Sequence, residues 1–176
     1  MPNPNNVAIN RITKESLAFA AAKCLENIAF SNLTISKLCK VAGVSRKAYY
    51  RNFDSLETVL KYYLLIRWTQ FAEEKNIAKL PQMDQLIYLI PFMYSEQKFI
   101  RNIRDNNLLH ILEELFMEIL ISPEISGAER YFGYVVVYTI YAFIRAMVDN
   151  DFSKTPEQME RMFSNFSDNI NHIIKL

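Results

Sequence analysis

Leu33–Asn52 reads LTISKLCKVAGVSRKAYYRN, and the fold follows from how this stretch breaks. Thr34 is a good helix cap, because its hydroxyl can accept one of the amide hydrogens left over in a first turn. Ile35 and Leu38 follow at helical spacing. Gly43 then falls where the helix must end in a left-handed residue, a conformation glycine adopts without a side-chain clash. Ser45 caps a second helix that runs to about Asn52. A turn this short makes the two helices cross steeply, so the second can stand out from the surface. Ile35, Leu38, Val44 and Phe53 are the residues expected to hold that angle by packing on the helix before. The same packing turns Arg46, Lys47, Tyr50, Arg51 and Asn52 outward. Those groups suit a DNA groove: arginine pairs with guanine edges, asparagine with adenine edges, and lysine and tyrosine hold phosphates.

Working outward, Leu17, Ala21, Leu25 and Ile28 share one face of a preceding helix predicted over Lys14–Ile28. Residues 1–10 form a polar tail. On the other side Ser55 opens a long helix to about Asn76, with a stripe of Leu56, Val59, Leu60, Tyr63 and Arg67; Pro81 blocks its extension. Further helices are predicted over about 84–94, 96–104, 106–121 and 127–149. A last one opens at Thr155-Pro156-Glu157-Gln158, a cap residue followed by proline in the first turn and glutamine three places on, and runs to about Lys175. With only three glycines and six prolines, and no alternating strand pattern or repeat, the expected fold is all-α. It has about nine helices, a three-helix helix-turn-helix domain over 10–60 and a helical bundle over 61–176.

The charge is divided along the same line. Residues 1–53 hold eight Lys/Arg and two Asp/Glu, a net of +6, whereas 54–176 hold twelve and seventeen, a net of −5. The overall balance of +1 hides a basic head on an acidic body, the distribution of a nucleic-acid binder with a separate second domain.

Thr34-Ile35, Leu38, Ala42-Gly43-Val44-Ser45, Tyr50, Phe53 and Leu60 together resemble the DNA-binding signature of the TetR family, across roughly residues 10–60. The resemblance implies an all-helical fold with a three-helix head and a variable ligand-binding body. It implies a mostly bacterial class of repressors that dimerise and leave double-stranded DNA when an effector binds. By that similarity Tyr50 meets the phosphate backbone, Asn52 takes a site often filled by histidine, and Thr34, Ser36 and Lys37 approach phosphates from the start of the second helix. Lys47 adds a cation where many members have glycine, and Leu56 stands where a lysine is usual.

The body is rich in aromatics. Trp68, Tyr88, Phe92, Phe116, Tyr134 and Tyr138 are the expected walls of a pocket for a small apolar or aromatic effector, apolar with a few polar tips. The long helix after Ser55 is the lever that would link pocket to head. In the last helix Met159, Met162, Phe163, Phe166, Ile170 and Ile173 lie on one stripe. The helix before it is apolar nearly all round, and the two are expected to form a four-helix homodimer interface. Two heads about a two-fold axis then call for a near-palindromic operator.

Other chemistry finds little to build on. His110 lies one turn from Glu113 and Glu114, but nothing else marks a metal site, and no cofactor is implied. There is no Gly-rich phosphate loop and no nucleophile signature, so an enzyme is not expected. Cys24 and Cys39 form no CxxC pair and read as reduced thiols of a cytoplasmic protein. The uncharged run Tyr131–Ile144 is fourteen residues long, short of the ~20 that span a bilayer, and reads as a buried core helix rather than a membrane segment. The competing reading is a protein-binding co-regulator that kept this fold without sensing a ligand itself.

Overall fold

The chain was analysed in a computed structural model that describes residues 4–80, 85–121, 124 and 126–174, with side chains of those between 7 and 165 except Ala78. Among the described residues there are nine α-helices and no strand: α1 (Pro4–Leu25), α2 (Ile35–Ala42), α3 (Arg46–Asn52), α4 (Leu56–Glu74), α5 (Leu89–Ser95), α6 (Gln97–Asp105), α7 (His110–Leu120), α8 (Gly127–Asp149) and α9 (Pro156–Ile174). Short 3₁₀ turns occupy Phe30–Asn32, Ile77–Lys79 and Leu86–Tyr88. The all-α expectation of about nine helices holds. The chain divides into two compact units, Met1–Gln70 with Asn102–Leu115, and Phe71–Arg101 with Phe116–Leu176.

In the first unit α2 and α3 pack on α1. Leu17, Ala18 and Ala21 of α1, Leu38 of α2, Tyr49 of α3, and Val59, Leu60 and Leu64 of α4 are fully buried. Phe53 is nearly so, while Ile35 and Val44 are half-buried. The caps fall where the sequence places them. Thr34 Oγ1 accepts from the Lys37 amide at 3.2 Å, and Ser45 Oγ accepts from that of Ala48 at 3.1 Å. Ser55 and Thr58 cap the start of α4 reciprocally: each hydroxyl accepts from the other's backbone amide, at 3.1 and 3.2 Å. The ammonium of Lys14 rests over the Tyr62 ring at 4.1 Å, a cation–π contact that ties α1 to α4.

The start of α1 differs from expectation. The helix begins at Pro4, ten residues before Lys14, in the stretch read as a tail. Proline fits a first turn, where its missing amide hydrogen costs nothing, and no glycine interrupts the rest of the helix. Residues 7–12 are all exposed, so no buried stripe marks the helix there. At its other end α1 stops at Leu25, and the Ile28 amide closes the turn onto the Cys24 carbonyl at 3.0 Å.

In the second unit the core holds Leu89, Ile90, Phe92 and Met93 of α5, Phe99 and Ile100 of α6, and Val137, Ile140, Ile144, Met147 and Val148 of α8. Pro91 lies in the first turn of α5, where it can be accommodated. α9 packs on α5 and opens with the expected capping box. The Thr155 amide donates to Gln158 Oε1 at 3.0 Å, and the Gln158 amide to Thr155 Oγ1 at 3.3 Å. The corner before it is strained, with Asp151 and Phe152 at φ 52° and 53°. Left-handed geometry in an aromatic residue costs on the order of 1–3 kcal/mol. The corner is held by Arg101, whose Nε lies 2.9 Å from Asp151 Oδ1, and by Tyr94, whose ring meets that of Phe152 at 5.2 Å. Asp84, Pro81, Pro123 and Lys175, which bounded predicted helices, lie outside the described residues.

Candidate nucleic-acid interface

Gly43 is the joint on which the site turns. It adopts φ 68° and ψ 26°, and the amide of Val44 bonds back to the Cys39 carbonyl at 3.0 Å. This is the left-handed stop that lets α3 leave α2 at once. Tyr49 and Phe53 anchor α3 from its inner side, their ring centroids 6.3 Å apart. The opposite side is open: Arg46, Lys47 and Arg51 are exposed, and Tyr50 is 62% exposed. None of these three cations forms an ion pair among the described residues. On α2, Thr34, Ser36 and Lys37 are exposed as well. Seven of the eight predicted contact residues are therefore exposed on the helix-turn-helix. The cations among them, Lys37, Arg46, Lys47 and Arg51, form no ion pair among the described residues, so their charge is open to a polyanion.

Asn52 is the exception. It is half-buried, and its Nδ2 donates to the Ala48 carbonyl of its own helix at 2.8 Å. That bond takes one of the two Nδ2 hydrogens and leaves the other, with Oδ1, unused, so Asn52 is held against its own helix while keeping a donor and an acceptor.

Tyr49 carries a feature the sequence did not signal. Its ring is fully buried, and its hydroxyl has no hydrogen-bond partner among the described residues. Burial first, then the neighbouring Tyr50, Cys39 and Asp54, push its pKa from 10.0 to about 12. The folded state thus holds this proton more tightly than the unfolded one, so ionisation of the unfolded chain makes the protein lose stability as pH rises from 10.0 toward about 12. Tyr49→Phe removes a desolvated hydroxyl that forms no bond. It is expected to stabilise the protein by about 1–2 kcal/mol and to flatten the alkaline loss. Thermal melts at pH 7 and pH 11 check this, and a lower melting temperature for the variant at pH 7 would contradict it. Burial also pushes up the thiols of Cys24 and Cys39, which are both free and buried.

The predicted pocket residues do not share one environment. Trp68 lies in the first unit and is half-buried. In the second unit Phe92 and Phe116 are core residues, and Phe92 lies 5.6 Å from Phe71, ring to ring. Tyr88 and Tyr134 are half-buried, while Tyr138 is 49% exposed. Only Tyr88 and Tyr134 have the half-buried, polar-tipped character expected of a pocket wall in that unit.

α8 departs most from its reading as a buried core helix. Its outer side exposes Tyr131, Phe132 and Val135 by 78%, 53% and 60%. It is the one helix among the described residues long and apolar enough to cross a membrane by length and composition. Of the α9 stripe, Met159 is already buried and Met162 is 47% exposed, while Phe163 packs on Phe143 at 5.2 Å. The side chains of Phe166, Ile170 and Ile173 lie outside the described residues. His110 pairs with Glu57 at 3.3 Å rather than with the carboxylates on its own helix. No group of three metal-ligating side chains occurs among the described residues. A scan against protein-family models and a search of curated proteins each find no match to this chain.

Proposed function

We propose that this protein is a DNA-binding transcriptional regulator of the TetR type, acting in the cytoplasm as a homodimer and inserting α3 into the major groove. One observation carries the reading. A capped helix, a left-handed glycine and a second capped helix present Arg46, Lys47, Tyr50 and Arg51 together, exposed, on a head of net charge +6. Phosphate contacts from Thr34, Ser36, Lys37, Lys47, Tyr50 and Arg51 would set the register. Arg46, at the first position of α3, is the best placed to read a guanine, because recognition helices meet base edges with their N-terminal residues.

The exposed apolar side of α8 supports the dimer. A second copy covers that side better than lipid does, since the same helix carries Glu129, Arg130, Arg145 and Asp149 and buries its other side in its own unit. Two heads about a two-fold axis would bind a near-palindromic operator. A small apolar or aromatic effector held by the C-terminal bundle would release it, as repression with induction requires. Coupling of about 1–3 kcal/mol would change operator affinity by roughly 5–150-fold.

The test is equilibrium binding to duplex DNA over a range of salt. Each phosphate neutralised releases counterions, so affinity should fall steeply between about 50 and 200 mM salt. Binding that ignores salt, or no binding to duplex at all, would favour the co-regulator.

A further inference from the structure

We infer that Asn106 is a positioning residue for DNA binding: it holds the α1–α2 link from a corner 76 residues away in sequence. The inference rests on the reading of α2 and α3 as the DNA-contacting helices, and it concerns how they are held.

The 3₁₀ turn Phe30–Asn32 has no side-chain cap of its own; Ala29 precedes it and offers none. The first amide of such a turn lacks a partner within the turn. Here the Phe30 amide donates to Asn106 Oδ1 at 2.7 Å, in a part-buried setting. The other end of the same amide group is also used, Nδ2 donating to the Asn102 carbonyl at 2.8 Å. With both ends engaged the side chain has one orientation, and its oxygen faces Phe30.

Asn106 is itself fixed. It follows α6, and the next residue, Asn107, is left-handed at φ 60°. The Leu108 amide bonds back to the Ile103 carbonyl at 2.8 Å and the Asn107 amide to that of Arg104 at 2.9 Å, closing the helix end. Leu108 and Leu109 beyond it are buried. Two side-chain contacts extend the attachment: Glu57 Oε2 with His110 Nε2 at 3.3 Å and the ion pair of Lys61 with Glu114 at 3.4 Å. Each partner is four residues from the next on its own helix, so α4 and α7 run side by side in the same direction there. These pairs are exposed or half-exposed and individually weak. The Asn106 bond is the short, part-buried contact that reaches the link immediately before Thr34, Ser36 and Lys37.

Asn106 touches no DNA in this account. It reduces the freedom that α2 and α3 must give up on binding, the general way preorganisation raises affinity. The experiment compares the full chain with Asn106→Ala and Asn106→Asp, which keeps the acceptor facing Phe30. Duplex affinity, its salt slope and amide hydrogen exchange are measured on each. Asn106→Ala is expected to speed exchange at Phe30 and weaken duplex binding about tenfold, the worth of one such bond. The salt slope should stay unchanged because no phosphate contact is removed. Asn106→Asp keeps the acceptor for Phe30 but loses the donor to the Asn102 carbonyl, so it should restore part of both. Unchanged Phe30 exchange in the alanine variant, or faster exchange with unaltered affinity, overturns the inference. So does a loss that tracks a lowered melting temperature and is equal in both variants. If the unaltered chain binds no duplex, the DNA reading itself falls, and exchange at Phe30 separately decides whether Asn106 holds the link.

Discussion

Val135→Asp is expected to convert the protein from dimer to monomer at micromolar concentration and to weaken operator binding by a hundredfold or more. Val135 is 60% exposed in the single chain, so the substitution leaves the fold of each copy intact. In the proposed dimer its position is covered by the partner helix. A carboxylate forced into an apolar contact without a partner costs about 3–5 kcal/mol, and a two-fold axis applies that cost once per copy. Each monomer would then hold only one half-site, and the gain from binding both heads together would be lost. Sedimentation gives the mass and a binding titration gives the affinity. A variant that stays dimeric would place the interface elsewhere than on α8.

Arg46→Ala should cost about 1–3 kcal/mol of operator affinity and relax the preference at one base pair of each half-site, as loss of a base contact does. Lys47→Ala and Arg51→Ala should behave differently. A lost phosphate contact weakens all sequences alike and lowers the salt slope by about one per site. These three side chains lie on one short helix with no ion pair among the described residues, so the contrast isolates chemistry rather than folding. Competition assays with single-base operator variants distinguish the two patterns. Equal, sequence-blind losses for all three would make α3 a phosphate anchor instead of a reader.

The helix-turn-helix was legible because its signals are local. Thr34, Gly43 and Ser45 each act within four residues of their own position, and the observed bounds of α2 and α3 match the expected ones. Thr155 and Gln158 made the start of α9 legible for the same reason. What the sequence hid depends on distant partners or on their absence. Residues 7–12 of the α1 extension are all exposed, so periodicity was silent there. Asn106 read only as the start of a helix, because its partner is a backbone amide far away in sequence. Tyr50 was expected to face outward and does, but nothing marked Tyr49 beside it as a fully buried ring with an unpartnered hydroxyl. α8 read both as core and as half of a dimer interface, because an apolar side reads the same whether its own chain covers it or a second copy does. The bond of Asn52 to the Ala48 carbonyl was hidden as well, because residue type alone does not show which groups a side chain meets on its own helix.

The central claim, that α3 of a symmetric pair reads duplex DNA, is tested most directly by selecting bound fragments from a random duplex pool with the unaltered protein. The account predicts enrichment of one near-palindromic sequence whose half-sites lie about one helical turn, roughly 34–36 Å, or a multiple of it, apart. It also predicts that the enrichment disappears for a variant with Arg46, Lys47 and Arg51 all replaced by alanine. A pool left unenriched by the unaltered protein, or the same sequence selected by the triple variant, would contradict it.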